Sequence, residues 1–231
     1  LADRAHQDRD AAFDAWAAAL KSRGVTAVSK IILDLSVFDD QFRHPDWPDN
    51  QQERWYQAPV GGLNYNDNYL DISFKVTGRD VTLDLHPALP PELITNYLRA
   101  GDKQRPLITR RPGSNVFELS GTAKRDGTLD PVCAWDPTVF FGYAVHTALE
   151  ARGVNVPGPV VSRTLRPADL AAAEQIDTRR TPLTDAVWRC NLFSQNMFAE
   201  ALLKSLAAYD PNGQRTNDAG SWSAGTRVLR D

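Results

Sequence analysis

The 231-residue chain predicts an α+β fold. Three observations predict it. Helical periodicity opens the chain and returns in its last third. Two-residue alternation dominates the middle. The two patterns come in blocks and never interleave as a strict βαβ series. Hydrophobic residues make up 42% and charged residues 24%, a composition that can bury a core and does not resemble a disordered chain. The formal net charge of -3 offers no strongly basic face, which argues against nucleic acid as a partner.

Phe13, Trp16, Ala17 and Leu20 share one face of a first helix, and Gly24, following Lys21 and Arg23, supplies its stop. Val25 to Leu35 then reads as a strand, with Ile31, Ile32 and Leu33 suggesting cover on both faces. From Phe38 to Asn68 periodicity fades among prolines, Gly61, Gly62 and the aromatics Trp47, Trp55 and Tyr56, which predicts a long loop packed against the protein. A hairpin follows. Leu70, Ile72, Phe74 and Val76 alternate with polar residues, Gly78 marks the turn, and Val81, Leu83 and Leu85 alternate again. Further strands are expected at Pro106–Arg110 and Asn115–Ser120. A helix is expected over Pro137–Arg152, ending at Gly153, then a short strand at Val160-Val161 and a helical turn or two over Pro167–Glu174. Thr181-Pro182 reads as a cap followed by proline at the first helical position. The last helix is expected from Ser194 to Ala208, with Phe198, Leu202 and Leu206 on one face and a Glu200–Lys204 pair at i, i+4. No apolar run is long enough to span a bilayer.

Candidate chemistry is sparse. His6, His44, His86 and His146 lie outside ligand spacing of one another and of either cysteine, so surface or hairpin histidines are the commoner reading. Gly61-Gly62 and Gly153 fit no phosphate-binding motif and read as turn glycines. Asp34, Asp39 and Asp40 end a strand, where acids serve catalysis or simply cap a loop. Asn64, Asn66, Asp67 and Asn68 could hold an ion, but such clusters more often bond their own backbone. Cys133 and Cys190 could form one long-range disulfide or remain two thiols. Ser194-Gln195-Asn196 is a weak SxN signal by itself, and an N-cap role for Ser194 explains it equally well.

The surrounding residues add specificity. Ser194-Gln195-Asn196-Met197-Phe198-Ala199-Glu200-Ala201-Leu202-Leu203 resembles the SxN region of the class C, low-molecular-mass penicillin-binding proteins, the D-alanyl-D-alanine carboxypeptidases of peptidase family S13. Thr181-Pro182-Leu183 resembles the family's lead-in, and Gly220-Ser221-Trp222 with Gly225 resembles the segment that follows. Gly24-Val25, Ile32, Asp34 and Phe38-Asp39 are similar to an earlier family segment, as are Trp55 to Val60 and Leu63 to Asn68. The matches are colinear along nearly the whole chain and weakest over 87–129.

The resemblance implies a β-rich accessory region, residues 1–165, inserted into a penicillin-binding, β-lactamase-like transpeptidase fold that is only partly present. Residues 166–231 would be the return into that domain. It implies a serine peptidase acting on peptidoglycan peptides outside the cytoplasm, trapped by β-lactams and needing no cofactor or metal. Ser194 would relay a proton toward the leaving amine. Asn196 would hydrogen-bond the substrate amide and help place a lysine. The family's Ser-x-x-Lys and Lys-Thr-Gly motifs occur nowhere among these residues. In the family they lie before and after the matched segment, so the expectation is an internal portion of a longer enzyme, inactive by itself. A non-catalytic binding or scaffolding relative is the alternative.

Overall fold

The computed structural model describes residues 10–216 and 218–230. His6 lies outside the described residues. The first helix, α1 (Ala11–Ser22), buries Phe13 and Ala17 and stops ahead of Gly24, whose φ of 74° lies in the left-handed region. The following strand is shorter than its pattern suggests. Only Ile31–Asp34 forms β1, and within it only Leu33 is buried. The residues before it form no strand, only an isolated bridge from Ala27 to Asn155.

The loop over 35–68 is packed down, as its aromatics imply. Gly61 and Gly62 are close-approach positions rather than turn glycines. A methyl at Gly61 would meet Pro137 at 3.0 Å, and one at Gly62 would meet Val37 at 3.2 Å. The hairpin forms as expected from β2 (Tyr69–Thr77) and β3 (Asp80–His86). Leu70, Ile72 and Phe74 point to one face, all buried.

Two short strands, β4 (Ile94–Asn96) and β5 (Arg99–Ala100), pair in parallel with one side of β7 (Phe117–Ala123). The strand β6 (Arg105–Arg110) pairs with β7's other side, antiparallel. A strand absent from the sequence reading, β8 (Gly127–Cys133), returns along β2. Asp130 and Pro131 hid it, because both are poor strand formers. It tolerates them as the edge of the three-stranded sheet β3-β2-β8. The two sheets close on one core that includes Ile72, Phe74, Ile108, Phe117, Leu119 and Phe140.

Phe140 comes from α2 (Pro137–Ala151), which starts on a strong signal. The Asp136 carboxylate accepts hydrogen bonds from the amides of Thr138 and Val139, each 2.9 Å, and Pro137 stands at the first position. Beyond Phe140, α2 turns Ala144, Val145 and Leu149 to a second core with Phe13 and Ala17 of α1. The strand β9 (Val160–Arg163) then pairs in parallel with β1. The Asp34 carboxylate accepts from Ser36 and from the amide of Leu165, so it fastens the two strand ends.

The remaining chain is helical: α3 (Pro167–Ala171), α4 (Leu183–Phe193), α5 (Asn196–Ala208) and α6 (Trp222–Arg230). Pro182 is the residue before α4 rather than its first position, and Thr181 makes no cap. The fully buried residues of α5 are Met197, Lys204 and Ala208; of the expected face, Phe198 is half-buried against the same core and Leu202 is half-buried, while Leu206 is 40% exposed. The expected Glu200–Lys204 pair does not form an ion pair among the described residues. Glu200 accepts from the indole of Trp222, while the fully buried Lys204 ammonium donates to Asp39 and to the Gln41 carbonyl, both at 2.6 Å. The α5–α6 contact is close because Gly225 has no side chain, and a methyl there would lie 2.0 Å from the Leu203 carbonyl.

Candidate functional site

Ser194 sits at the corner between α4 and α5 with φ 52° and ψ 42°. A left-handed conformation is uncommon for serine. It is the C-cap of α4, not the N-cap of α5, a position Gln195 takes without a side-chain cap bond. The chain reverses there because the amide of Gln195 donates back to the Cys190 carbonyl at 3.1 Å. The Ser194 hydroxyl is left exposed, with no hydrogen-bond partner among the described residues. It is therefore available to a group brought to this corner.

Asn196 opens α5. Its side-chain nitrogen donates to the Tyr56 carbonyl at 2.8 Å. A carbonyl oxygen can only accept, so this bond fixes which end of the amide faces the protein. The Asn196 Oδ1 atom is left as an acceptor facing away from Tyr56. The two residues singled out from the sequence are thus held on one turn, one offering a hydroxyl and the other an oriented amide.

The corner is held from below by the 64–69 loop. Asn66, Asp67 and Asn68 are three consecutive left-handed residues, with φ of 51°, 51° and 56°. Asparagine and aspartate tolerate this conformation best among side-chain-bearing residues. The expected self-bonding of this cluster is observed. The Asn68 side chain accepts from the Tyr65 amide at 3.1 Å and donates to the Pro59 carbonyl at 2.8 Å. Asn66 donates to the carbonyls of Tyr69 and His86. Two further partners come from the last third of the chain. Asp67 accepts from Arg189 of α4 at 2.6 Å, and Asn68 lies 3.3 Å from the sulfur of Met197 on α5. Pairing between residues so far apart in the chain leaves no periodic trace in the sequence.

The other candidates are structural in their contacts. No grouping of His, Cys, Asp and Glu suited to a metal occurs among the described residues. His44 packs edge-on to Trp222, and His146 faces the Val156 carbonyl. Cys133 and Cys190 are both free thiols. Burial pushes the Cys133 thiol above its ordinary range, opposed by the nearby Arg43 and Arg110 guanidiniums. Those two arginines flank the Trp135 ring at 4.7 and 5.2 Å. A groove of about 800 Å³ runs beside them, lined by Arg110, Asp130 and Trp135 among others, but neither Ser194 nor Asn196 lines it.

The sequence matches the D-Ala-D-Ala carboxypeptidase 3 (S13) family over residues 2–231. No curated protein matches it. The fold is similar to that of penicillin binding protein 4 (dacB) from Haemophilus influenzae, with a TM-score of 0.67 at 17% identity, over 92% of this chain and 47% of that one. The same Haemophilus influenzae protein complexed with a novel beta-lactam matches with a TM-score of 0.58 at 16% identity, over 96% of this chain and 48% of that one. The chain therefore spans about half the length of these solved structures.

Proposed function

Because the chain belongs to the D-Ala-D-Ala carboxypeptidase 3 (S13) family, we propose that it forms part of a serine carboxypeptidase or endopeptidase acting on D-Ala–D-Ala stem peptides of peptidoglycan. The observation that carries this reading is the corner itself. Ser194 presents an unengaged hydroxyl, and two residues on Asn196 presents an amide locked by Tyr56. That is the pair of groups an acyl-transfer site needs beside its nucleophile: one to pass a proton to the leaving amine, one to hold the scissile amide.

In this proposal the nucleophilic serine and its lysine belong to another part of the enzyme, and the 231 residues alone do not transfer acyl groups. Ser194 relays the proton. The Asn196 Oδ1 accepts from a substrate amide N–H or from the lysine ammonium. Residues 1–165 form the accessory region, and residues 166–231 re-enter the penicillin-binding domain. The exposed apolar residues of α4, among them Leu183 and Leu192, support a packing role for this helix within a larger domain. The substrate lies outside the cytoplasmic membrane, so we place the enzyme there. No helix among the described residues is long and apolar enough to cross a membrane. β-Lactams, as analogues of the same substrate, would acylate it.

The test is to express the polypeptide encoded by the complete gene and incubate it with fluorescent penicillin. A covalently labelled band is expected, and Ser194→Ala or Asn196→Ala should slow its appearance by about 100-fold. Absence of any label, or a gene with no Ser-x-x-Lys, would sink the enzyme reading. The alternative, a peptidoglycan-binding or scaffolding module, is favoured by the absence of Ser-x-x-Lys and Lys-Thr-Gly from these residues. It predicts no acylation together with retention on insoluble peptidoglycan.

A further inference from the structure

The left-handed turn over Asn66–Asn68 places one carboxylate where two helices meet. Asp67 Oδ2 accepts from Arg189 Nη2 at 2.6 Å, from the Tyr69 hydroxyl at 3.2 Å and from Gln195 Nε2 at 3.4 Å. Arg189 belongs to α4, and Gln195 is the middle residue of Ser194-Gln195-Asn196. Asp67 and Gln195 are only 8% and 7% exposed, so these bonds operate away from bulk water. The Arg189 guanidinium also stacks over Phe193 at 5.8 Å and Phe198 at 5.4 Å, residues on either side of the corner.

On the α5 side the corner is also held by the Asn196–Tyr56 bond and by buried Met197, but α4 has fewer anchors. None of the residues of α4 is fully buried, and only Ala186, Arg189, Cys190 and Phe193 are half-buried, so apolar burial holds that helix weakly. Ser194 is the pivot between α4 and α5, and its own side chain bonds nothing among the described residues. The place of its hydroxyl therefore depends on where the angle between the two helices sets the Ser194 backbone. One oxygen of Asp67 touches both sides of that pivot.

We propose that Asp67 is a positioning residue, clamping Arg189 and Gln195 so that Ser194 keeps its left-handed geometry and its hydroxyl stays aimed for proton transfer. The proposal rests on the reading that Ser194 serves acyl transfer. Asp67 touches no reacting atom. It acts through the corner.

The variant of choice is Asp67→Asn, because asparagine accepts the left-handed backbone and keeps the shape while losing the charge. Two measurements separate the clamp from the enzyme reading. In the 231-residue chain, amide hydrogen exchange at Gln195 should speed up by at least about tenfold in Asp67→Asn, with exchange in β2 and β7 unchanged. In the full-length protein, the first-order acylation rate should fall by about 10- to 100-fold, with the concentration for half-maximal rate moving less than about twofold. Unchanged exchange at Gln195 overturns the clamp, whatever the acylation result. Faster exchange with an acylation rate within twofold of the parent overturns the positioning role. If the parent itself takes no label, the proposed function has failed, and the exchange measurement still decides whether Asp67 holds the corner.

Discussion

The helices α2 and α4 are both rich in apolar residues, yet they are held by different forces. In α2, Phe140, Ala144, Val145 and Leu149 are all buried, shared between two cores. In α4, Leu183 is 65% exposed, Leu192 56% and Trp188 42%, and no residue is buried. A helix as short as α4 is marginal in water without packing. What fixes α4 is polar: the Arg189–Asp67 ion pair and the reversal at Ser194. Burial is insensitive to small shifts of a helix about its axis, whereas a buried charged hydrogen bond sets a direction. The scaffold is secured by the first means and the candidate site by the second.

This contrast can be broken at its strongest point. Phe140→Ala empties a position with no exposed surface between two sheets and should cost about 3–5 kcal/mol, read as a lower urea midpoint at unchanged slope. A loss below about 1 kcal/mol would mean that the core around α2 collapses to fill the gap, and that its packing is less decisive than its burial implies.

Lys204→Ala leaves Asp39 without its 2.6 Å partner and should cost roughly 3 kcal/mol, with Lys204→Met costing less because its chain still fills the space between Phe38 and Trp222. Burial is the largest influence on this ammonium and lowers its pKa from the usual 10.5, against the opposing pull of Asp39, Glu200 and Asp40. Between the lowered folded value and 10.5 the unfolded chain binds a proton that the folded chain does not. Stability contributed by this group therefore rises with pH across that window. The difference between parent and Lys204→Met stability curves should show that rise, and a flat difference would rule it out.

The smallest effect is expected where the contrast says packing is absent. Leu192→Ser, at a residue 56% exposed, should change the unfolding free energy of this chain by no more than about 0.5 kcal/mol. A loss of about 2 kcal/mol would show that the exposed face of α4 is covered in solution.

Much of the scaffold could be read from residue order alone. The hairpin at Gly78, the helix start at Pro137 and the Gly24 and Gly153 stops are local signals, and the structure meets each within a residue or two. β8 was lost because Pro131 breaks the pattern on an edge that tolerates it. The buried face of α5 was misplaced because Lys204 reads as a surface residue until Asp39 and the Trp222 ring are brought to it. Ser194 and Asn196 were named from their neighbours in the sequence, but their geometry depends on Tyr56 and Asp67, more than a hundred positions away. Such long-range polar pairing has no periodicity to betray it.

One feature of the β-rich region bears on how such proteins change over time. Tyr69 and Cys133 are register partners, and the Ala134 amide donates to the Asn68 carbonyl at 2.8 Å. The excursion from 69 to 133 therefore leaves and returns through a single doorway. A segment joined in this way can be exchanged, enlarged or trimmed between lineages without rerouting the chain around it. One toll is Phe140, which reaches into the segment's core from outside and packs against Phe117. Any graft at this doorway must bring its own shelter for that ring, so a side chain outside the module constrains which modules are admissible.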